Sequence, residues 1–215
     1  MITFIIKRIK LWFLLNFLIS FWGQFDKIKI KMANSGQELH KIFNLRWKAY
    51  IEEGYIEPKD FPNRELKDQY EKNSLNLLAL KNNIPIGTVR FIFPSDHGFP
   101  TEKAFNLKNL NFPKKEIGEI SKLCIERKYR KTKIGEKIFL SLMAEIYKFM
   151  KKNKMKYVLI GVPHSLKRAF EPLDFQSSIV ELQAGPLKPE NIKERKTAHK
   201  YFENFKVTPY LITIT

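Results

Sequence analysis

The sequence is poor in the residues that most simple site chemistries need. It has one cysteine and four histidines in 215 residues. A single thiol makes neither an internal disulfide nor a cysteine-based zinc site, and no HxxxH or CxxC spacing occurs. A disulfide-stapled secreted domain is therefore excluded, and metal chemistry has no visible ligand set. There are nine glycines, and they form no complete glycine-rich phosphate loop. The apolar run Leu11–Trp22 is 12 residues long and broken by Asn16 and Ser20, where a bilayer-spanning helix needs about 20. Acidic residues are also scarce, 22 Asp+Glu against 39 Lys+Arg, for a net charge of +17.

What is present is apolar and basic. Hydrophobic residues make up 44% of the chain and aromatic residues 13%, which excludes a disordered polymer and suits one α/β domain. Lysines outnumber arginines 31 to 8, a bias that coding composition can impose, but such bias does not set the ratio of basic to acidic residues. The window Lys114–Lys156 carries 14 Lys/Arg against 5 Glu. A surface of that kind attracts a phosphate-rich or acidic partner: nucleic acid, anionic lipid, a nucleotide cofactor or an acidic carrier protein.

Residues 1–23 stand apart as a hydrophobic, basic tail, with Lys7, Arg8 and Lys10 preceding the apolar run. Three readings are open: an interfacial membrane anchor, a start assigned too far upstream, and a signal-anchor without a small-x-small cleavage site. Starting at Met32 instead would remove Lys27–Met32, whose alternation reads as a first strand. Residues 24–215 are expected to form a single domain.

Along that domain, Ser35-x-x-Glu38 is a capping-box pattern opening a helix whose stripe runs through Leu39, Phe43, Trp47 and Tyr50, with Gly54 closing it. Glu57–Lys72 reads as a polar loop. Leu75–Leu80 and Ile86–Phe93 read as a hairpin around Lys81–Pro85, and Pro94–Pro113 as a second long loop. Ile117–Ile125 is a strand, and Ile134–Lys151 a helix with Ile134, Ile138, Leu142, Ile146 and Met150 on one stripe. Lys156–Val162 reads as a buried strand and Ser165–Phe170 as a short helix. Strands at Ser177–Gln183 and Val207–Ile214 close the chain. The order β-α-β-β-β-α-β-α-β-β points to a mixed α/β (α+β) sheet with helices on both faces.

Three places could carry chemistry. Glu119 lies in a strand with apolar neighbours, where it is either an edge residue facing water or a buried carboxylate with a raised pKa, suited to general-base work. Lys122, three residues on, faces the other way under strict alternation, and a bulge would be needed to bring both into one site. Arg90 sits within Thr88-Val89-Arg90-Phe91-Ile92-Phe93. If that face is covered the guanidinium needs a carboxylate, with Asp68, Glu71 and Glu119 as candidates; otherwise it is an exposed sheet residue. At the third place, basic residues precede the second long helix, whose free amides favour phosphate. Arg130 and Gly135 imitate the R-x-x-G-x-G/A loop that cradles the pyrophosphate of coenzyme A, with Lys133 where the first glycine would stand. Cys124 reads as a packed strand residue.

Taken in order, Leu45-Arg46-Trp47-Lys48-Ala49-Tyr50, Asp68-Gln69-Tyr70-Glu71, Gly87-Thr88-Val89-Arg90, Glu119-Ile120-Ser121-Lys122-Leu123 and Tyr129-Arg130 resemble the acyltransferases related to acyl-homoserine-lactone (autoinducer) synthases. The long-chain N-acyl amino acid synthases are close relatives, and Thr208-Pro209-Tyr210-Leu211-Ile212 resembles the last strand of that branch. The resemblance runs over roughly residues 27–212. It implies a GNAT fold, with a mixed, mostly antiparallel sheet and a splayed central strand pair.

It also implies roles. Glu119 and Arg90 would be catalytic, Glu119 deprotonating the acceptor amine and Arg90 organising the acids. Arg46, Tyr50, Asp68, Glu71, Ser121 and Lys122 would line the substrate site. Leu123, Cys124, Ile125, Arg130 and Gly135 would hold the pantetheine arm. Here Glu71 takes the second place of the family's D-x-x-D pair, Lys122 replaces an arginine, and Tyr55 is the nearest aromatic to a missing tryptophan. The expected reaction moves a fatty acyl group from an acyl carrier protein or acyl-CoA thioester to a primary amine, an amino acid or S-adenosylmethionine-like acceptor. No cofactor is expected to be permanently bound; the acyl-phosphopantetheine thioester is a co-substrate. The expected partners are acyl carrier protein and a small-molecule amine acceptor, with no specific nucleic acid. A cytoplasmic location is expected, with peripheral membrane contact through residues 1–23 left open. The competing readings are a basic nucleic-acid-binding module, a small-acetyl GNAT acetyltransferase, and a degenerate acyltransferase fold acting as a carrier-binding or structural subunit.

Overall fold

The computed structural model describes residues 28–105, 113–166, 179–182 and 207–214; the tail 1–23 lies outside them. The first strand, β1 (Ile28–Met32), leads into α1 (Gly36–Glu52), which Ser35 caps by accepting the amide of Glu38 at 3.3 Å. A polar stretch with single 3-10 turns at Pro58–Asp60 and Gln69–Asn73 reaches β2 (Ser74–Lys81). Asn82 and Asn83, both at positive φ, form the two-residue loop into β3 (Ile84–Ile92). Asparagine tolerates the left-handed region that such hairpin turns require. The strand therefore begins two residues before the expected Ile86, with Pro85 inside it.

The segment expected to be only loop contains a short helix, α2 (Pro100–Ala104). Pro100 opens it, and Glu102 accepts the Phe99 amide at 3.0 Å, but five residues are too few to show an apolar period. Then follow β4 (Ile117–Ile125), α3 (Lys133–Lys152), β5 (Tyr157–Pro163), β6 (Ile179–Glu181) and β7 (Val207–Thr213). The described part of Ser165–Phe170 is a single 3-10 turn at His164–Leu166, and Ile179–Glu181 is the described part of the strand expected at Ser177–Gln183.

These strands form one sheet in the order β1-β2-β3-β4-β5-β7-β6. All neighbours are antiparallel except β4 and β5, which pair in parallel from Ile117–Tyr157 to Ile120–Ile160 and then part. From Ser121 onward β4 keeps β3 on one side, while no described strand pairs its other edge. This is the splayed central pair.

Both faces are covered. On one, Ile138, Leu142, Ile146 and Met150 of α3 are fully buried against Leu77, Val89, Phe91, Ile120 and Val158. The stripe is the one expected, because a 3.6-residue period aligns these positions. Gly118 is required here: a Cβ on it would lie 2.1 Å from Phe91 Cζ. On the other face α1 packs Ile42 and Phe43 against Leu78, and Tyr70, Ile92, Phe99, Ile117 and Leu159 form a second cluster. The buried stripe of α1 differs from the expected one. It includes Ile42, Leu45, Arg46 and Ala49, while Trp47 and Tyr50 are half-buried. Polar partners inside the fold turn Arg46 inward. Among the described residues no helix is long and apolar enough to cross a membrane.

Candidate active site

The site grows from the α1 face of β3 and β4. Arg90 is its hub. Its Nη1 donates to Asp68 Oδ1 and to Glu71 Oε1, both at 2.6 Å. Nη2 donates to Asp68 Oδ2 at 3.1 Å, and Nε to Ser121 Oγ at 2.9 Å. Arg46 donates to Glu71 Oε1 at 2.9 Å and to the Asn76 side-chain carbonyl, and Asn76 Nδ2 donates to Glu71 Oε2 at 3.1 Å. Asp68 also caps its own turn, accepting the Tyr70 amide at 3.0 Å. A network of charge-assisted bonds thus brings together Arg46, Asp68, Glu71, Arg90 and Ser121, five of the expected site residues. Asn76 was not anticipated, although an amide inside Ser74-Leu75-Asn76-Leu77-Leu78 must find partners when buried.

Lys122 joins the same face through a bulge. Thr88 pairs with Cys124 and Arg90 with Ser121, so Val89 alone faces both Lys122 and Leu123. Lys122 takes the left-handed conformation, φ 52, and the inserted residue reverses the alternation downstream. Its ammonium lies 3.8 Å from Asp68 Oδ2 and 4.8 Å from the centre of the Tyr50 ring. The bulge that strict alternation required is present.

Glu119 is 2% exposed. Its Oε2 accepts the Thr101 amide of α2 at 3.0 Å, a partner that no motif indicates. Burial pushes the Glu119 carboxyl up to about 8, against the opposing pull of the Thr101 bond and Arg90. Burial alone would raise Asp68, but Lys122 and Arg90 hold it at about 2. Burial depresses Lys122 to about 8, with Asp68 opposing and Arg90 and Arg46 reinforcing. Burial thus raises a carboxylate and lowers an amine, each to about 8, on the same face of the sheet.

The residues expected to hold the donor arm divide. Leu123 and Ile125 pack toward the α3 core, and Cys124 is buried, with burial raising its thiol to about 11. That thiol is no thiolate near neutral pH. Arg130 does not reach toward open solvent at α3. Its Nε donates to the Ile125 carbonyl at 2.7 Å, and the guanidinium pairs with Glu53 and, at 3.0 Å, Glu52 at the end of α1. Gly135 is explained by packing, since a Cβ there would meet the Tyr129 carbonyl oxygen at 2.1 Å. Its amide is taken by the Thr132 hydroxyl at 3.1 Å.

Similar architecture occurs in solved acyltransferases. The structure of FeeM, an N-acyl amino acid synthase from uncultured soil microbes, is 12% identical, with 87% of this chain and 90% of that chain covered and a TM-score of 0.65. The CoA-dependent acyl-homoserine lactone synthase BjaI is 19% identical, covering 82% and 76%, with a TM-score of 0.59. The AHL synthase LasI is 12% identical, covering 87% and 90%, with a TM-score of 0.61. No curated protein sequence matches the chain. The splayed strand pair and the helices on both faces define a GNAT-type acyltransferase fold. The chain belongs to the N-acyl amino acid synthase FeeM family, whose sequence profile matches residues 41–183.

Proposed function

We propose that the enzyme transfers a fatty acyl group from a phosphopantetheine thioester to the amine of an amino-acid acceptor, with Glu119 as general base. The observation that carries this reading is the burial of the Glu119 carboxylate on β4, two residues before the strand leaves β5. The edge of β4 beyond Ile120, which no described strand pairs, supplies backbone donors and acceptors for a pantetheine arm. It also supplies N–H groups for the oxyanion. Glu119, directly or through water, accepts the amine proton. The amine nitrogen attacks the thioester carbon, the C–S bond breaks, and the thiol leaves with a proton. Cys124 takes no part, so no acyl-enzyme forms.

The donor that fits best is an acyl carrier protein. A coenzyme A pyrophosphate would have to settle where Thr132 already caps Gly135, Tyr129 fills the glycine gap, and Glu52 and Glu53 hold Arg130. Arg127, Lys128, Lys131 and Lys133 are exposed around the start of α3 and suit an acidic carrier surface. Purified protein given an acyl carrier thioester and an amino-acid mixture should release thiol and acyl-amide in equal amounts. It should turn over the carrier thioester faster than the matching acyl-CoA. Thiol release without an amide would sink the acyl-transfer reading; a preference for acyl-CoA would sink the carrier assignment alone.

A further inference from the structure

The face of the sheet opposite the Arg90 cluster carries an apolar trough that acyl transfer does not use. It runs between the edge strand β1 and the C-terminal half of α3, with a volume of about 310 Å³. Ile30, Leu75, Leu77 and Phe149 line it, together with Met32. The first four pack into the α3-side core or against it. Met32, paired with Leu77 at the end of β1, is 42% exposed. Leaving a large apolar side chain in water beside an apolar trough is a cost that a covered surface would remove.

The rim of the trough is basic. Lys31, Lys148 and Lys152 border it against one acid, Glu145. Glu145, Lys148 and Lys152 are spaced three and four residues apart, on one side of α3. Lys31 bonds Glu38 of α1, and Lys148 bonds Glu145 at 2.7 Å. Lys152 pairs with no carboxylate among the described residues. An exposed pair such as Lys148–Glu145 is worth little, so both lysines of α3 can turn to a stronger anionic partner. Apolar groups flanked by lysines, whose stems are themselves apolar, match the chemistry of a membrane interface. The residues ahead of Ile28 join the fold at this same edge strand, and their sequence repeats that chemistry in Lys7, Arg8, Lys10 and the run Leu11–Trp22. One interfacial signal attaches a protein to a membrane only marginally, and stable attachment takes two.

We infer that the trough between β1 and α3 is a docking surface for an anionic phospholipid bilayer. Met32 enters the acyl boundary over the floor of Ile30 and Phe149, while Lys148 and Lys152 meet the headgroup phosphates. A soluble polyanion such as nucleic acid would use the lysines but gain nothing from the apolar floor. The inference goes beyond the acyl-transfer reading and does not depend on it. Because the trough lies on the α3 face and the Arg90 cluster on the α1 face, docking leaves that cluster uncovered.

The test is cosedimentation of the full chain with vesicles of phosphatidylcholine alone, and of phosphatidylcholine with phosphatidylglycerol at about one part in three. The chain should bind the anionic vesicles well above the neutral ones, and less so as salt rises. Lys148→Gln combined with Lys152→Gln should weaken that binding by roughly 10- to 30-fold, the share of two lysines at such a surface. Met32→Ser should weaken it by roughly 3-fold or more. Lys41→Gln combined with Lys48→Gln removes the same charge from α1 and should bind like the parent. All five positions are exposed, so the changes leave the fold intact. Equal weakening by the two lysine pairs would make net charge the cause and overturn the inference. Trough variants that bind like the parent would overturn it too, and would assign attachment to the residues ahead of Ile28. So would a parent that binds no vesicles; if it sediments as a dimer, the trough belongs to a second copy of the chain.

Discussion

The amide of Thr101 donates to Glu119 Oε2 at 3.0 Å, tying the short helix α2 to the central strand. The bond matters because Glu119 is 2% exposed and the Thr101 amide is its described hydrogen-bond donor. Burial raises the Tyr70 hydroxyl, with Glu119 adding to the effect. One amide donor keeps the carboxylate oriented without neutralising it, and burial keeps its proton affinity high. Both properties suit the general-base role proposed for Glu119.

This arrangement gives stability a particular pH dependence. The Glu119 carboxyl is raised from 4.5 to about 8, so between those values the native protein holds a proton that the unfolded chain has lost. The stabilisation is fully present below about 4.5 and lost as pH rises through about 8. Glu119→Gln cannot titrate. The melting temperature of the variant minus that of the parent should therefore increase steadily from pH 5 to pH 8.5. A constant difference would show that Glu119 ionises normally.

Arg90 should be the most costly residue of the site to remove. It is 1% exposed and bonds Asp68, Glu71 and Ser121 at once. Arg90→Met leaves two partly exposed carboxylates, Asp68 at 31% and Glu71 at 13%, without their shared guanidinium, a change of about 2–3 kcal/mol, below the range for a fully buried pair. Arg90→Lys keeps the charge but not the fork, and should recover only part of the loss. Denaturant titration measures both; a cost below about 1 kcal/mol for Arg90→Met would mean that Arg46 and Lys122 suffice to hold the acids.

Gly135 separates packing from ligand binding. The Tyr129 carbonyl that a Cβ would strike is backbone, with no rotamer to yield. Gly135→Ala should lower stability by about 1–3 kcal/mol in the absence of any thioester. An alanine variant of unchanged stability with a raised donor KM would instead assign Gly135 to the donor arm.

Much of this architecture was legible in the residue order. The α3 helix was expected at Ile134–Lys151 and spans Lys133–Lys152, and β4 has the expected limits, because long elements repeat their apolar period several times. Arg90 was legible for the opposite reason: a guanidinium among Val89, Phe91 and Ile92 must be compensated. Three features were not legible. Nothing in a lysine marks the left-handed bulge at Lys122, which depends on register with β3. The inward turn of Arg46 depends on Glu71 and Asn76, 25 and 30 residues away. The Thr101 amide is a backbone group, which any residue but proline would supply there. Motif spacing indicated which residues meet; how they meet was decided by tertiary register.

The most direct test of the account compares the purified chain with Glu119→Gln, each given an acyl carrier thioester and the preferred amino acid. Acyl-amide is quantified by mass spectrometry and donor KM is measured alongside. The account predicts a loss of roughly 100-fold or more in turnover, the share that a general base contributes, with donor KM unchanged. Acyl-amide formation at the full rate by Glu119→Gln would contradict it.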